Sequence, residues 1–152
     1  VVGSRRYDDK PDRRRLYANA FGVDLLEGPG VDLVHDLEEP LPASAGKFDH
    51  IDCVSVLEHV KRPWKMAKTL ESCLNRGGTI LICVPFVWRL HAYPSDYWRM
   101  TAEALPILFP SIGWHERKYL VDGRKRKVVP GRVDDGGQWL ARAELVAAGV
   151  RR

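Results

Sequence analysis

The chain has no apolar run long enough to cross a bilayer and no signal-peptide pattern at its start. No membrane partner is expected, and three cysteines that read as reduced, buried thiols suggest a cytoplasmic protein. Cysteine is scarce. Cys53, Cys73 and Cys83 are the whole set, an odd number without a C-x-x-C pair, which disfavours both a disulfide framework and a thiolate metal centre. His35, His50 and His115 show no ligand-like spacing with these cysteines, and no metal site is expected. The glycine pattern G-x-G-x-x-G is missing, which argues against a dinucleotide oxidoreductase. There is no internal repeat and no low-complexity stretch.

What is present is ordinary globular material. The 152 residues are 45% hydrophobic and 29% charged, which allows a packed core. A single domain over 1–152 is expected, with residues 130–152 as a C-terminal loop and helix. The first residue is Val1 rather than Met, and Val1-Val2-Gly3-Ser4 reads as the tail of a strand, so a truncated N-terminus is expected. The net charge is +4, gathered in Arg5-Arg6, Arg13-Arg14-Arg15, Arg124-Lys125-Arg126-Lys127 and Arg151-Arg152. Such clusters suit a nucleic-acid or phosphate partner. Without interleaved aromatics, they suit solvated faces better. Asp8-Asp9 and Asp134-Asp135 read as loop polarity.

The stretch 48–60 organises the rest. Residues 51–56 are a mostly apolar run with β-branched side chains and no proline. They turn directly into Leu57-Glu58-His59-Val60, the start of a helix. A buried strand running into a helix is the βα unit of a parallel sheet, and ligands bind at the carboxyl ends of such strands. Upstream, 12–20 predicts a short helix with Leu16, Ala20 and Tyr17 inward, 21–25 a second strand and 31–36 a third. Only Glu27-Gly28-Pro29-Gly30 separates those strands, so a hairpin and an abbreviated parallel pair both remain open. Downstream, Trp64, Met66, Ala67, Leu70, Cys73 and Leu74 form a helical stripe after Pro63, closed by Asn75-Arg76-Gly77-Gly78. Residues 79–84 predict a fifth strand stopped by Pro85. Thr101 caps a short helix limited by Pro106. A strand to 121, a turn at Asp122-Gly123, a return strand over 124–129 and an amphipathic helix over 138–148 complete the reading.

Three predicted strand ends carry polar groups: Asp24, Asp36, and Ser55 with Glu58-His59. A carboxylate ending the second strand can accept two hydrogen bonds from ribose hydroxyls. One ending the third can accept from an exocyclic amine. Together they describe a nucleoside pocket, against the plainer alternative that such acids only solvate loop ends.

At this point the chain resembles the class I S-adenosylmethionine-dependent methyltransferases, of the small methyltransferase-domain, type 11-like kind. The residues that carry the resemblance are Gly22-Val23-Asp24, Val34-His35-Asp36-Leu37, Leu41-Pro42, Phe48-Asp49, Val56-Leu57-Glu58-His59-Val60, Pro63, Leu74, Gly77-Gly78 and Val84-Pro85-Phe86. His91, Pro94, Asp96-Tyr97-Trp98-Arg99 and Thr101 are similar to the loop after strand five in one branch of that family. The resemblance implies an α/β fold, a Rossmann-like, mostly parallel sheet of order 3-2-1-4-5 with a terminal antiparallel strand pair, in three α/β/α layers. It implies S-adenosyl-L-methionine as cofactor, held by Gly3, Ser4 and Arg5 at the first turn, by Asp24 and Leu25 at the ribose, by Asp36 and Leu37 at the adenine and by Ser55 near the methyl group. It implies structural or pocket-lining roles for Glu58 and His59. The first turn reads Gly3-Ser4-Arg5-Arg6 where the family carries glycines at alternate positions.

A sulfonium methyl is already a good electrophile, so the protein's task is to position a nucleophile and, for an alcohol, to supply a base. His91 is the candidate base, with Asp96 orienting it or acting itself. Arg99 is a candidate for binding an anionic or hydroxyl-rich substrate, with Trp88, Tyr93, Tyr97 and Trp98 as a stacking wall. The alternative is that His91, Asp96 and Arg99 merely hold their loop together. The expected function is methyl transfer to a small-molecule or glycan acceptor, at oxygen. A non-catalytic binding or scaffold module and an RNA methyltransferase using the basic clusters are the alternatives. Oligomeric state is not legible.

Overall fold

The computed structural model describes residues 1–6, 11–91, 95–121, 124–125 and 143–152. Tyr93, Asp8-Asp9, Asp134-Asp135, the turn at 122–123 and the parts of the expected return strand and final helix within 126–142 lie outside the described residues. In chain order the strands are β1 (Val23–Asp24), β2 (Leu33–Val34), β3 (Phe48–Val54), β4 (Leu74–Val87), β5 (Ile112–Val121), β6 (Arg124–Lys125) and β7 (Ala143–Arg151). The helices are α1 (Pro63–Cys73), between β3 and β4, and α2 (Ala104–Leu108), before β5.

β3 and β4 pair in parallel, with Ile51 opposite Ile80 and Cys53 opposite Ile82. The expected strand was right in kind; it begins earlier, at Phe48. α1 is the crossover that parallel pairing requires. Pro63 opens it at a position where a missing N–H costs nothing. Its apolar stripe puts Met66, Ala67, Leu70 and Cys73 into the core, where Met66 and Leu70 contribute about 1.5–3 kcal/mol each by burial. Trp64, expected on that stripe, is exposed instead. The helix ends at Cys73, and Asn75-Arg76-Gly77-Gly78 falls inside β4 rather than closing it.

Val2 forms parallel bridges to Val23 on one side and to Cys53 on the other. It thereby joins the β2–β1 pair to the sheet β3–β4–β7–β5–β6. With Val2 counted as the first strand, the order is the expected 3-2-1-4-5. β1 and β2 are parallel, Val23 opposite Leu33, so the hairpin alternative is excluded.

The far side of the sheet corrects the reading. Residues 143–148 are not helical: β7 runs antiparallel between β4 and β5 and pairs with both. Leu145 and Ala147 are buried, and Gly149 is required because a Cβ there would stand 2.3 Å from Ile112 Cγ2. Two flanking strands outweigh the helix propensity of Glu144, Leu145, Ala147 and Ala148. β6 meets β5 only at two positions, Leu120 with Lys125 and Val121 with Arg124. Strand β4 also passes through Pro85 instead of stopping there. Its register with β7 slips between Pro85 and Val87, as expected where proline has no N–H to donate. The expected helix over 12–20 is a single 3-10 turn, Arg13–Leu16, capped by the Asp12 carboxylate, which accepts from the Arg14 N–H at 3.0 Å. It has no buried residue, and Leu16 is 67% exposed rather than inward. A turn without an apolar face does not propagate.

Candidate functional site

Val2, β1, β2, β3 and β4 run parallel, so their carboxyl ends share one rim. Gly3 adopts φ +65°, and a Cβ there would lie 2.6 Å from Val56 Cγ2, so conformation and space both require glycine. The first turn therefore packs against the residue following Ser55. Ser55 itself has φ +55°, the one non-glycine residue with positive φ among the described residues. It is exposed, and its N–H donates to the Cys83 carbonyl at 2.8 Å. That backbone costs about 1–2 kcal/mol in an L-residue, a strain of the kind that collects at functional sites.

Asp24 sits opposite this turn. Its Oδ2 accepts the Arg5 N–H at 2.9 Å and its Oδ1 the Leu26 N–H at 3.2 Å. Each oxygen retains a lone pair for a hydroxyl. Ser4 is buried, and its Oγ has no partner among the described residues. Asp36 is exposed and accepts the Glu38 N–H at 2.9 Å. Leu25 is half exposed, whereas Leu37 is buried in the core.

The ends of β3 and β4 carry a second cluster. The 3-10 turn Leu57–His59 follows Ser55 and buries Glu58. The Glu58 carbonyl accepts the Tyr97 N–H at 2.8 Å and the Trp98 N–H at 3.3 Å, which draws the loop after β4 onto the rim. Its carboxyl group is pushed up to about 7 by burial. His59 Nδ1 lies 2.7 Å from the Ser95 carbonyl, and burial lowers its pKa. The rings of His59 and His91 meet edge to face with centroids 4.8 Å apart. His91 Nδ1 is 2.9 Å from Asp96 Oδ2, and the His91 N–H donates to the same oxygen at 3.0 Å. Arg99 donates to both Asp96 oxygens. This two-pronged bond, chiefly, holds the Asp96 carboxyl well below the usual carboxylate range. Arg99 also donates to the carbonyls of Trp98, Trp88 and Arg89. Trp98 donates its indole N–H to the Val60 carbonyl at 2.8 Å and meets Trp64 edge to face.

Opposite the rim, at the amino end of β3, lies a cavity of about 350 Å³ lined in part by Tyr17, Leu37, His50 and Asp52. Asp52 is 1% exposed. Arg13 grips it with contacts of 2.7–3.1 Å, and the Tyr17 hydroxyl donates to it at 2.6 Å. Burial, then the bond to Asp52, pushes the Tyr17 phenol up to about 12. The cavity's volume does not make it the site, because it lies away from the strand carboxyl ends.

The sequence over residues 12–118 matches the profile of a methyltransferase-domain family. The chain belongs to that family. Its fold is shared with solved S-adenosylmethionine-dependent methyltransferases. Among curated relatives, the tRNA U34 carboxymethyltransferase of Campylobacter concisus is 41% identical over 49 residues, covering 32% of this chain and 17% of the relative. The enzyme of the same name from Campylobacter curvus is 32% identical over 95 residues, covering 55% of this chain and 30% of the relative. The chain thus spans less than a third of the length of these relatives. Among solved structures, the N-methyltransferase NodS of Bradyrhizobium japonicum superposes with a TM-score of 0.63 at 12% identity, covering 99% of this chain and 83% of that one.

The domain's own residues fit the S-adenosyl-L-methionine that the resemblance implies. The orphaned Ser4 hydroxyl and the side-chain-free turn at Gly3 offer a polar cradle, and Asp24 keeps acceptor capacity beside it. Of the residues singled out by sequence, Gly3, Ser4, Arg5 and Asp24 stand together, Gly3 meets the residue after Ser55, and His91, Asp96, Arg99 and Trp88 form one contact group. Leu37 stands apart in the core. Sequence reading gave Glu58 and His59 structural or pocket-lining roles; their burial beside a histidine distant in sequence had no local signal. It also missed Asp52, although an acid between Ile51 and Cys53 in a buried strand calls for a partner.

Proposed function

We propose that this domain transfers a methyl group from S-adenosyl-L-methionine to an acceptor seated at the carboxyl rim of β3 and β4, and that the acceptor belongs to an RNA. The observation that carries the reading is the meeting of the Gly3–Asp24 cradle with Val56, the residue after Ser55, one strand away from the His91–Asp96 pair. When bound, the cofactor supplies the electrophilic sulfonium methyl. The Gly3-Ser4-Arg5 turn, Asp24 with Leu25, and Asp36 hold its adenosyl and methionine parts, with Ser55 beside the methyl end. Asp96 accepts a hydrogen bond from the His91 Nδ1–H, which holds the proton there and leaves Nε2 with its lone pair to take the acceptor's proton. Arg99 fixes Asp96 and the loop; its donors are committed to that carboxylate and to three carbonyls rather than to a substrate.

RNA is favoured over a small molecule by the names of the relatives and by charge. Exposed Arg6, Lys61 and Arg89 follow the ends of the first strand, β3 and β4, where they suit phosphates. A small-molecule or glycan acceptor is the second reading, favoured by the exposed rings of Tyr97 and Trp98 at the same rim. Incubation with tritiated-methyl cofactor, bulk tRNA and a small-molecule extract separates them. Label in tRNA is the expected result; label confined to the extract favours the second reading. Calorimetry with S-adenosyl-L-methionine tests the catalytic premise, since a folded protein that does not bind it would be a scaffold module. Asp24→Ala is expected to weaken that binding about tenfold or more; unchanged binding would overturn the cradle assignment.

A further inference from the structure

Three side chains from two strand ends converge without satisfying one another. Glu58 and His59 follow β3, His91 follows β4, and one donor atom from each lies within 4.8 Å of the others. Glu58 is 1% exposed, and its Oε2 has no hydrogen-bond partner among the described residues. A buried carboxylate oxygen left unpaired is costly, by about 1–3 kcal/mol or more. The two imidazoles are prepared in the same way. The Ser95 carbonyl, 2.7 Å from His59 Nδ1, can only accept, so that nitrogen carries the proton and Nε2 keeps its lone pair. Asp96 does the same for His91 through the 2.9 Å contact at Nδ1. His59 Nε2 then stands 3.7 Å from Glu58 Oε1. A ligating imidazole typically donates its other N–H to a carbonyl or carboxylate, which fixes tautomer and ring orientation. Here both outer partners are in place, and Asp96 is itself anchored by Arg99.

We propose that Glu58, His59 and His91 bind a first-row divalent transition-metal ion, Zn²⁺ or a neighbour in the series, through one carboxylate oxygen and two Nε2 atoms. Two imidazoles and one carboxylate exclude the all-oxygen shells that Mg²⁺ and Ca²⁺ favour. Ligand atoms around a tetrahedral ion with bonds of about 2.0–2.2 Å stand about 3.4 Å apart, so the trio closes by somewhat over about 1 Å from its widest spacing, within the reach of side-chain rotation. Charge favours the cation. Glu58 and Asp96 outweigh Arg99, and Glu144 adds a further negative neighbour. Three protein ligands leave coordination positions open. Binding of the metal does not depend on the methyl-transfer reading, but it alters it. With the His91 Nε2 lone pair on the metal, an acceptor hydroxyl in an open position loses its proton to solvent because of the metal's charge, rather than to imidazole.

The test is a Co²⁺ titration of the whole chain followed by d–d absorption, with Zn²⁺ as competitor and Mg²⁺ as control. One equivalent of Co²⁺ is expected to bind, to be displaced by Zn²⁺ and not by Mg²⁺. His91→Ala, at a partly exposed position, is expected to weaken binding about tenfold or more, and Glu58→Gln likewise, with the fold of both checked by circular dichroism. Absence of saturable one-to-one uptake overturns the proposal, as does unchanged uptake in both variants or thiolate-type charge transfer from the cysteines. Calorimetry with S-adenosyl-L-methionine on the same samples keeps the two readings apart: cofactor binding without metal uptake removes the metal site alone.

Discussion

Two buried carboxylates belong to the same βα unit and are finished in opposite ways. Asp52, within β3, meets a two-pronged guanidinium from Arg13 and the Tyr17 hydroxyl. Glu58, just past the end of β3, keeps one oxygen without a partner among the described residues, and its other oxygen stands 3.7 Å from His59 Nε2. Both regions contain an arginine and a histidine, so composition does not separate them. The difference is completion. A carboxylate with every demand met anchors structure, here tying the segment after the first turn to the central strand. A carboxylate left incomplete beside two imidazoles whose Nδ1 atoms face a carbonyl and a carboxylate suits the metal ion proposed above.

The largest expected effect tests the finished side. Arg13→Ala strands a buried charge, and urea unfolding should show a loss of about 3 kcal/mol, the low end of the range for a broken buried pair because Arg13 is partly exposed. A loss smaller than that of Glu58→Gln would break the comparison. Next comes the unfinished side. In the metal-free folded chain Glu58 holds its proton up to about pH 7, against about 4.5 when unfolded. Between those values the folded state binds more protons, so stability falls as pH rises. The contribution is fully present below about 4.5 and gone by about 7, amounting to about 3 kcal/mol. Glu58→Gln should flatten that slope in unfolding curves recorded across the window; a slope that persists assigns the titration elsewhere. Asp96→Asn should then lower kcat about tenfold or more while leaving cofactor affinity intact, because it disturbs the His91 tautomer without touching the cradle. Equal losses in both would place Asp96 in the binding of S-adenosyl-L-methionine. The smallest effect is a control: Lys65→Ala breaks a 3.5 Å surface pair with Glu39 and should cost less than about 0.5 kcal/mol.

The parallel half of the sheet was legible because each strand is an apolar run bounded by turn residues, and the residues around Gly22-Val23-Asp24 and Val56-Leu57-Glu58-His59-Val60 carried the family order. The antiparallel half was not. Ala143-Glu144-Leu145-Val146-Ala147-Ala148 has the composition of a helix, and only pairing with β4 and β5 makes it a strand. The segment 12–20 failed for the converse reason: its cap was real, but Arg13 and Tyr17 turn toward Asp52 instead of building an apolar face. At the candidate site, the placement of Asp24 at a strand end and the contact between His91 and Asp96 were readable from strand ends and short spacing. The Glu58–His59–His91 group was not, because its members come from different strand ends and meet only when the loop after β4 folds back onto the Glu58 carbonyl.

Strand β7 has a consequence for how the molecule is assembled. It is inserted between β4 and β5, yet all of it is translated after both. Until residues 143–151 emerge from the ribosome, β4 and β5 wait with their facing edges open, and every ladder contact that joins them to β7 spans a long stretch of chain. Closure of the sheet is therefore a late, non-local event. A nascent or shortened chain lacking this strand presents two unpaired edges with the apolar sequence Thr79-Ile80-Leu81-Ile82-Cys83-Val84 on one of them, a template for pairing with other copies rather than with itself.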